Sequence, residues 1–159
     1  MRALIQRVVN ASVSVSNEPV GEISSGLVIF IGIASKDTIE DSTYLVNKIL
    51  NLRIFPDSQD HFSSSVLENN LELLIISQFT LYSDTRRGRR PGFSEAAPRA
   101  HAKDIFDQTV ALFKQSPLKV LTGIFGEHML INLSNDGPVT IWIDSKDRVK
   151  PRRLSASIP

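Results

Sequence analysis

The chain has 159 residues, 18 Lys plus Arg against 17 Asp plus Glu, and no Cys. That length suits one domain, able to bury about 68–70% of its unfolded surface, and 42% hydrophobic residues argue against wholesale disorder. The lack of Cys excludes disulfides, thiolate metal sites and a thiol nucleophile, and no apolar run approaches the ~20 residues that span a bilayer.

The N-terminus, Met1 to Val9, lacks the apolar core of a signal peptide and reads directly as a strand. A cytoplasmic protein with no membrane partner is therefore expected. Strands are predicted over 3–9 and 11–16, the second with Val13 and Val15 alternating with Ser12, Ser14 and Ser16. Asn17-Glu18-Pro19 reads as a turn. Gly26 to Ala34 is a continuous apolar run, as in a strand buried on both faces. Asp37 with Glu40 resembles a helix cap, and Ile39, Leu45, Ile49 and Leu52 predict a helix over about 38–51. A short strand ends at Pro56, and residues 57–70 read as loop. Leu71 to Ser77 is a second buried strand, running into Gln78-Phe79-Thr80-Leu81. An Arg-rich loop follows from Ser83 to Gly92. Pro98 opens a second helix with Ala102, Ile105, Phe106, Thr109, Leu112 and Phe113 on its inner face. Three more strands are predicted at 118–125, 129–134 and 138–143. This order gives a single α+β domain over 1–143, with mixed, mostly antiparallel sheets and two main helices. A basic, mobile tail is expected over 144–159.

Positive charge is concentrated in two places. Residues 144–159 hold five basic and two acidic side chains, and Arg86, Arg87, Arg89 and Arg90 share the loop. A phosphate-rich partner would explain both clusters; solvated surface charge explains them equally well.

Several familiar sites are missing. Gly21-x-x-x-x-Gly26 is followed by Leu27-Val28 where a phosphate loop needs Lys and Ser or Thr. No Gly-x-Ser-x-Gly elbow occurs. His61, His101 and His128 are scattered, so no metal site and no cofactor is expected.

Two segments stand out. In Ser77-Gln78-Phe79-Thr80, an apolar strand ends in three hydrogen-bonding side chains around one aromatic ring. Strand ends often form small-molecule sites, though hydroxyls at an edge also simply bond the neighbouring backbone. In Asn135-Asp136-Gly137-Pro138, Asp-Gly suggests a tight hairpin turn, while Pro begins the next strand awkwardly. A cis Gly-Pro bond is one option there, the trans turn the commoner one.

Together these segments resemble the D-aminoacyl-tRNA deacylase family. Ser77 to Leu81 and Asn135-Asp136-Gly137-Pro138-Val139-Thr140 carry the likeness. Met1 to Val8, Ala11 to Val13, Gly21 to Ile23, Gly26-Leu27, Tyr44 to Phe55 and Arg87 to Phe93 support it, in order, across residues 1–143. The resemblance implies a barrel-like sheet arrangement and a homodimer with active sites at the subunit interface. It implies a carboxylic-ester hydrolase that frees D-amino acids, and misattached glycine, from D-aminoacyl-tRNA. Ser77, Gln78, Phe79 and Thr80 would line the catalytic pocket. Gly137-Pro138 would be cis and reach into the partner's pocket, where rigid backbone excludes an L side chain by clash. Arg7 would help hold that motif, and Phe125 and Met129 would contact the terminal adenine. As bare residues, those two would read as core. A tRNA partner strengthens the phosphate reading of Arg86, Arg87, Arg89 and Arg90. No base stands at a recognisable spacing from Thr80. The expected mechanism therefore uses backbone N–H groups around Phe79 and Thr80 for the oxyanion, with the tRNA 2′-hydroxyl assisting water. The competing readings are a non-catalytic nucleic-acid-binding protein of the same fold and a hydrolase of small esters.

Overall fold

The computed structural model describes residues 1–149, apart from Asp60 and Arg87. The element order is β1 (Arg2–Val15), β2 (Glu18–Ile23), β3 (Gly26–Gly32), α1 (Ile39–Asn51), β4 (Phe55–Pro56), β5 (Phe62–Ser64) and β6 (Glu72–Ser77). A 3-10 turn (Phe79–Tyr82), α2 (Arg99–Phe113), β7 (Val120–Thr122), β8 (Met129–Asp144) and a last 3-10 turn (Ser145–Val149) follow.

β1 organises the main sheet. It pairs antiparallel with β2, β3 and β8. Its first half lies between β3 and the end of β8, and its second half between β2 and the start of β8. β3–β6 and β6–β7 are parallel. Each parallel pair needs a long crossover, and α1 and α2 supply them. β2 curls toward β7, with the α-carbon side of Gly21 against Leu121. The result is the expected α+β domain: a nearly closed, barrel-like mixed sheet, two helices, and a small second sheet of β4 and β5.

The apolar runs of β3 and β6 are explained by two cores. Leu27, Ile29, Ile31, Leu73 and Ile75 face α1 and α2, packing with Leu45, Ile49, Ile105, Phe106 and Phe113. Val28, Leu74 and Ile76 face the barrel interior with Val8, Val13 and Ile23. Strands buried on both faces have no polar side to alternate with.

Some local expectations change. β1 is one strand rather than two; its register with β8 shifts around Val8 and Asn10, leaving Val9 exposed. Ser16 and Asn17, both at positive φ, make the β1–β2 loop, so Glu18 and Pro19 already belong to β2. Two positive-φ central residues are the pattern of a two-residue hairpin loop. Thr38, not Asp37, caps α1, its N–H donating to Asp41 Oδ2 at 3.0 Å.

Asp37 does something else. The Met1 α-ammonium, fully buried, donates to Asp37 Oδ1 at 2.7 Å and to Ser145 Oγ at 2.6 Å. Asp37 Oδ2 accepts from Ala34 N at 2.6 Å, and Ser145 N donates to Met1 O at 2.8 Å. The start of the expected tail is thus packed: Ser145 is buried, and Arg148 Nη1 lies 3.4 Å from Asp41 Oδ1. Although burial opposes it, hydrogen bonds from Thr38 and Ser145, with nearby positive charge, hold the Asp41 carboxyl below the usual carboxylate range. Residues 150–159 lie outside the described residues. Among those described, no helix is long and apolar enough to cross a membrane.

Candidate functional site

A cavity of about 490 Å³ opens where β6 ends. It lies within the size range of small-molecule pockets. Ser77, Gln78 and Phe79 form one wall, and Phe125 and Met129 another. Ile31, Ile76 and Ile131 supply apolar surface, while Arg99, Glu127 and His128 stand around it. Five of the sequence-predicted site residues therefore meet at one place.

The β6 end is shaped by a change of backbone direction. Gln78 N donates to Ile31 O at 2.7 Å, the last bond along β3. The chain then winds into the Phe79–Tyr82 turn, where Leu81 N donates to Gln78 O at 3.3 Å. The first N–H groups of such a turn have no carbonyl within the turn to reach. Among the described residues, neither the Phe79 nor the Thr80 N–H has a partner. Gln78 Nε2 donates to Thr80 Oγ1. Among the described residues no carboxylate or imidazole contacts that hydroxyl, and Thr80 is exposed beside the cavity rather than lining it.

Phe79 is 59% exposed, unusual for so large an apolar ring. It meets Phe93 edge-on, ring centroids 5.0 Å apart, tying the cavity to the Arg-rich loop. Asp84 and Gly92 exchange backbone hydrogen bonds of 2.7 and 2.8 Å and close that loop. The arginines are not equivalent. Arg86 forks onto Asp84, with Nε 2.8 Å from Oδ1 and Nη2 2.7 Å from Oδ2. That contact holds the Asp84 carboxyl well below the usual carboxylate range. Arg89 and Arg90 are exposed and have no carboxylate partner among the described residues. Arg87 lies outside the described residues.

The second motif is not a hairpin turn. β8 runs unbroken from Met129 to Asp144, and the motif bulges out of its ladder with β1. Gln6 pairs with Thr140 and Val8 with Asn135, so β8 has five steps where β1 has two. The Gly137-Pro138 bond is cis. Gly137 has φ +115°, and a Cβ there would lie 2.9 Å from Arg7 Nη2. Arg7 is only 6% exposed. Its Nη1 donates to Ile54 O at 2.6 Å, and its Nε lies 2.8 Å from Asp136 Oδ2, an ion-pair contact without hydrogen-bond alignment. The Asn135 carboxamide closes the bulge, Nδ2 donating to Arg7 O and Val139 O, both at 2.9 Å. Asn135 belongs to the motif, yet its bracing role is legible only once β1 lies beside it. Arg7, Gly137 and Pro138 do not line the cavity. Gly137 stands eight residues beyond Met129, about 27 Å along an extended strand.

The family model described as D-Tyr-tRNA(Tyr) deacylase matches residues 4–144. The chain belongs to this family. Relatives named D-aminoacyl-tRNA deacylase include one from Thermosipho africanus, 52% identical over 92% of this chain and 98% of its own. Another, from Dehalococcoides mccartyi, is 49% identical over 96% and 99%. Among solved structures, a c-Myc DNA unwinding element binding protein superposes with TM-score 0.86 at 37% identity, over 91% of this chain and 98% of that one. A probable eukaryotic D-amino acid tRNA deacylase reaches TM-score 0.79 at 17% identity, over 89% of this chain and 97% of that one, a likeness of fold.

Sequence reasoning about this deacylase-family chain missed Arg99, Glu127 and His128 at the cavity. Arg99 had one signal. The first turn of α2 has no acidic residue and begins with a cation, against the helix dipole.

Proposed function

We propose that the protein hydrolyses the ester joining a D-amino acid, or glycine, to the 3′-terminal adenosine of tRNA. The observation that carries this reading is the cavity that gathers Ser77, Gln78, Phe79, Phe125 and Met129. Phe125 and Met129 offer apolar surface for a purine, and the β6 end offers polar groups for the ester. Water attacks the ester carbonyl, and the carbonyl oxygen becomes an oxyanion facing the free N–H groups of Phe79 and Thr80. The C–O bond then breaks, the 3′-oxygen leaves with a proton, and free tRNA and amino acid result. The neighbouring 2′-hydroxyl orients the water.

The chirality filter comes from a second copy. Gly137-Pro138 is too far along β8 to enter the cavity of its own chain. It is exposed, and the cavity is open. A homodimer that places one protomer's motif over its partner's cavity supplies a rigid wall beside the substrate α-carbon. Hydrogen or a D side chain passes that wall; an L side chain strikes it.

The test is a time course on D-Tyr-tRNA and L-Tyr-tRNA in parallel. Loss of the D ester alone is expected. Stable esters with tRNA still bound would favour a nucleic-acid-binding protein without catalysis, and equal loss of both would remove the filter.

Thr80→Ala is expected to retain at least about a third of kcat/KM, because among the described residues no base contacts its hydroxyl. A hundredfold loss in a folded variant would make Thr80 the nucleophile. The Arg loop contributes phosphate contacts through Arg89 and Arg90, with Arg86 held by Asp84. The double variant R89Q/R90Q is expected to weaken tRNA binding and to lower the slope of log K against log salt by roughly 1.4–1.8. An unchanged slope removes these two from the interface.

A further inference from the structure

Phe125 lines two depressions at once. One is the cavity just described. The other, of about 500 Å³, lies between α2 and the chain after β7, lined by Lys103, Phe106, Asp107, Lys114, Ile124 and others. Phe106 and Phe125 pack with ring centroids 5.7 Å apart and make its apolar floor. Ile124 is exposed at its edge. The second groove therefore adjoins the first, with Phe125 as the wall they share.

Its charge has a direction. Arg99 lines the cavity, and Lys103 and Lys114 line the groove. Residues 99 and 103 lie one helical turn apart, and 114 about 16 Å further along α2 by helical rise. Arg99 packs on Gly126, where a Cβ would come within 2.5 Å of its Nη2. Among the described residues, Arg99 and Lys114 have no carboxylate partner. Lys103 Nζ is held by Asp107 Oδ2 at 2.5 Å, on the groove itself. Asp104, one residue round the helix, bonds Gln108 and does not line the groove.

Resting on the deacylase reading, we propose that this groove is a track for the single-stranded nucleotides preceding the terminal adenosine. Arg99 and Lys103 meet phosphates at the near end of the track and Lys114 one at its far end, and a base packs on Ile124 and Phe125. Aromatic and apolar platforms flanked by cations hold single strands largely without regard to sequence. Asp107 holds Lys103 until a phosphate takes its place, so this carboxylate opposes binding.

The probe is a fluorescent RNA tetranucleotide ending in CCA, with binding followed at several low salt concentrations. The double variant K103Q/K114Q is expected to weaken binding about tenfold and to reduce the salt slope by about 1.4, two single-strand phosphates' worth. D107N is expected to tighten binding severalfold, and D104N, with the same change in net charge, to leave it alone. Unmeasurable wild-type binding, an unchanged affinity in the double variant, or equal shifts from D107N and D104N would each overturn the track. Deacylation is assayed separately. Inactivity toward D-Tyr-tRNA with this binding pattern intact would overturn the catalytic reading and leave the track standing.

Discussion

Gly137→Ala is expected to give a folded protein that has lost about 100-fold in kcat/KM toward D-Tyr-tRNA. The residue sits at φ +115°, where an L side chain is strained, at a cost of order 1–3 kcal/mol. A domain with roughly 5–15 kcal/mol of stability survives that. The site does not. The new Cβ would lie 2.9 Å from both Arg7 Nη2 and Val139 Cγ2. Arg7 cannot swing away freely, because Ile54 O holds its Nη1 at 2.6 Å inside the protein. The bulge must give instead, and displacement of a positioning element by about 1 Å can cost 10²-fold. The checks are kcat/KM on the D and L esters together with a thermal melt. A variant that melts near the parent and keeps its rate would show that the motif does not face substrate.

Asp37→Ala is expected to destabilise the fold by about 3–5 kcal/mol, the usual result of leaving a buried charge without its partner. The α-ammonium of Met1 is fully buried and paired to Asp37 Oδ1 at 2.7 Å. Losing the carboxylate also strands the Ala34 N–H, which donates to Oδ2 at 2.6 Å. The melting temperature should fall on the order of 10 °C for a chain of this size. Chemical denaturation measures the change directly, and a loss below about 1 kcal/mol would mean that water or Asp41 takes over the ammonium.

Much of this architecture is legible in the residues. The runs at Gly26–Ala34 and Leu71–Ser77 announce strands buried on both faces, and the inner face of α2 follows from its spacing. The gathering of Ser77, Gln78, Phe79, Phe125 and Met129 followed from resemblance, since Phe125 and Met129 look like core by chemistry alone. The unbroken β8 was hidden for a physical reason. Asp-Gly-Pro carries every local signal of a turn, and only the ladder with β1 on either side keeps the strand going. The joined strand β1 was hidden likewise, because exposed Val9 breaks the alternation where the register shifts. Pairing of Arg86 with Asp84 needed the loop's closed geometry, although the two stand only two residues apart.

The grip of Arg7 on Ile54 O reaches beyond the motif itself. It ties the β8 bulge to the chain leaving α1, far away in sequence. Insertions should therefore sort by position. Ser58 and Gln59 form an exposed turn, with Asp57 N donating to His61 O at 2.9 Å, and extra residues beside them leave the grip alone. One residue added between Leu52 and Ile54 would drag the carbonyl from a buried guanidinium. The length this segment tolerates is thus set by a cation on another strand.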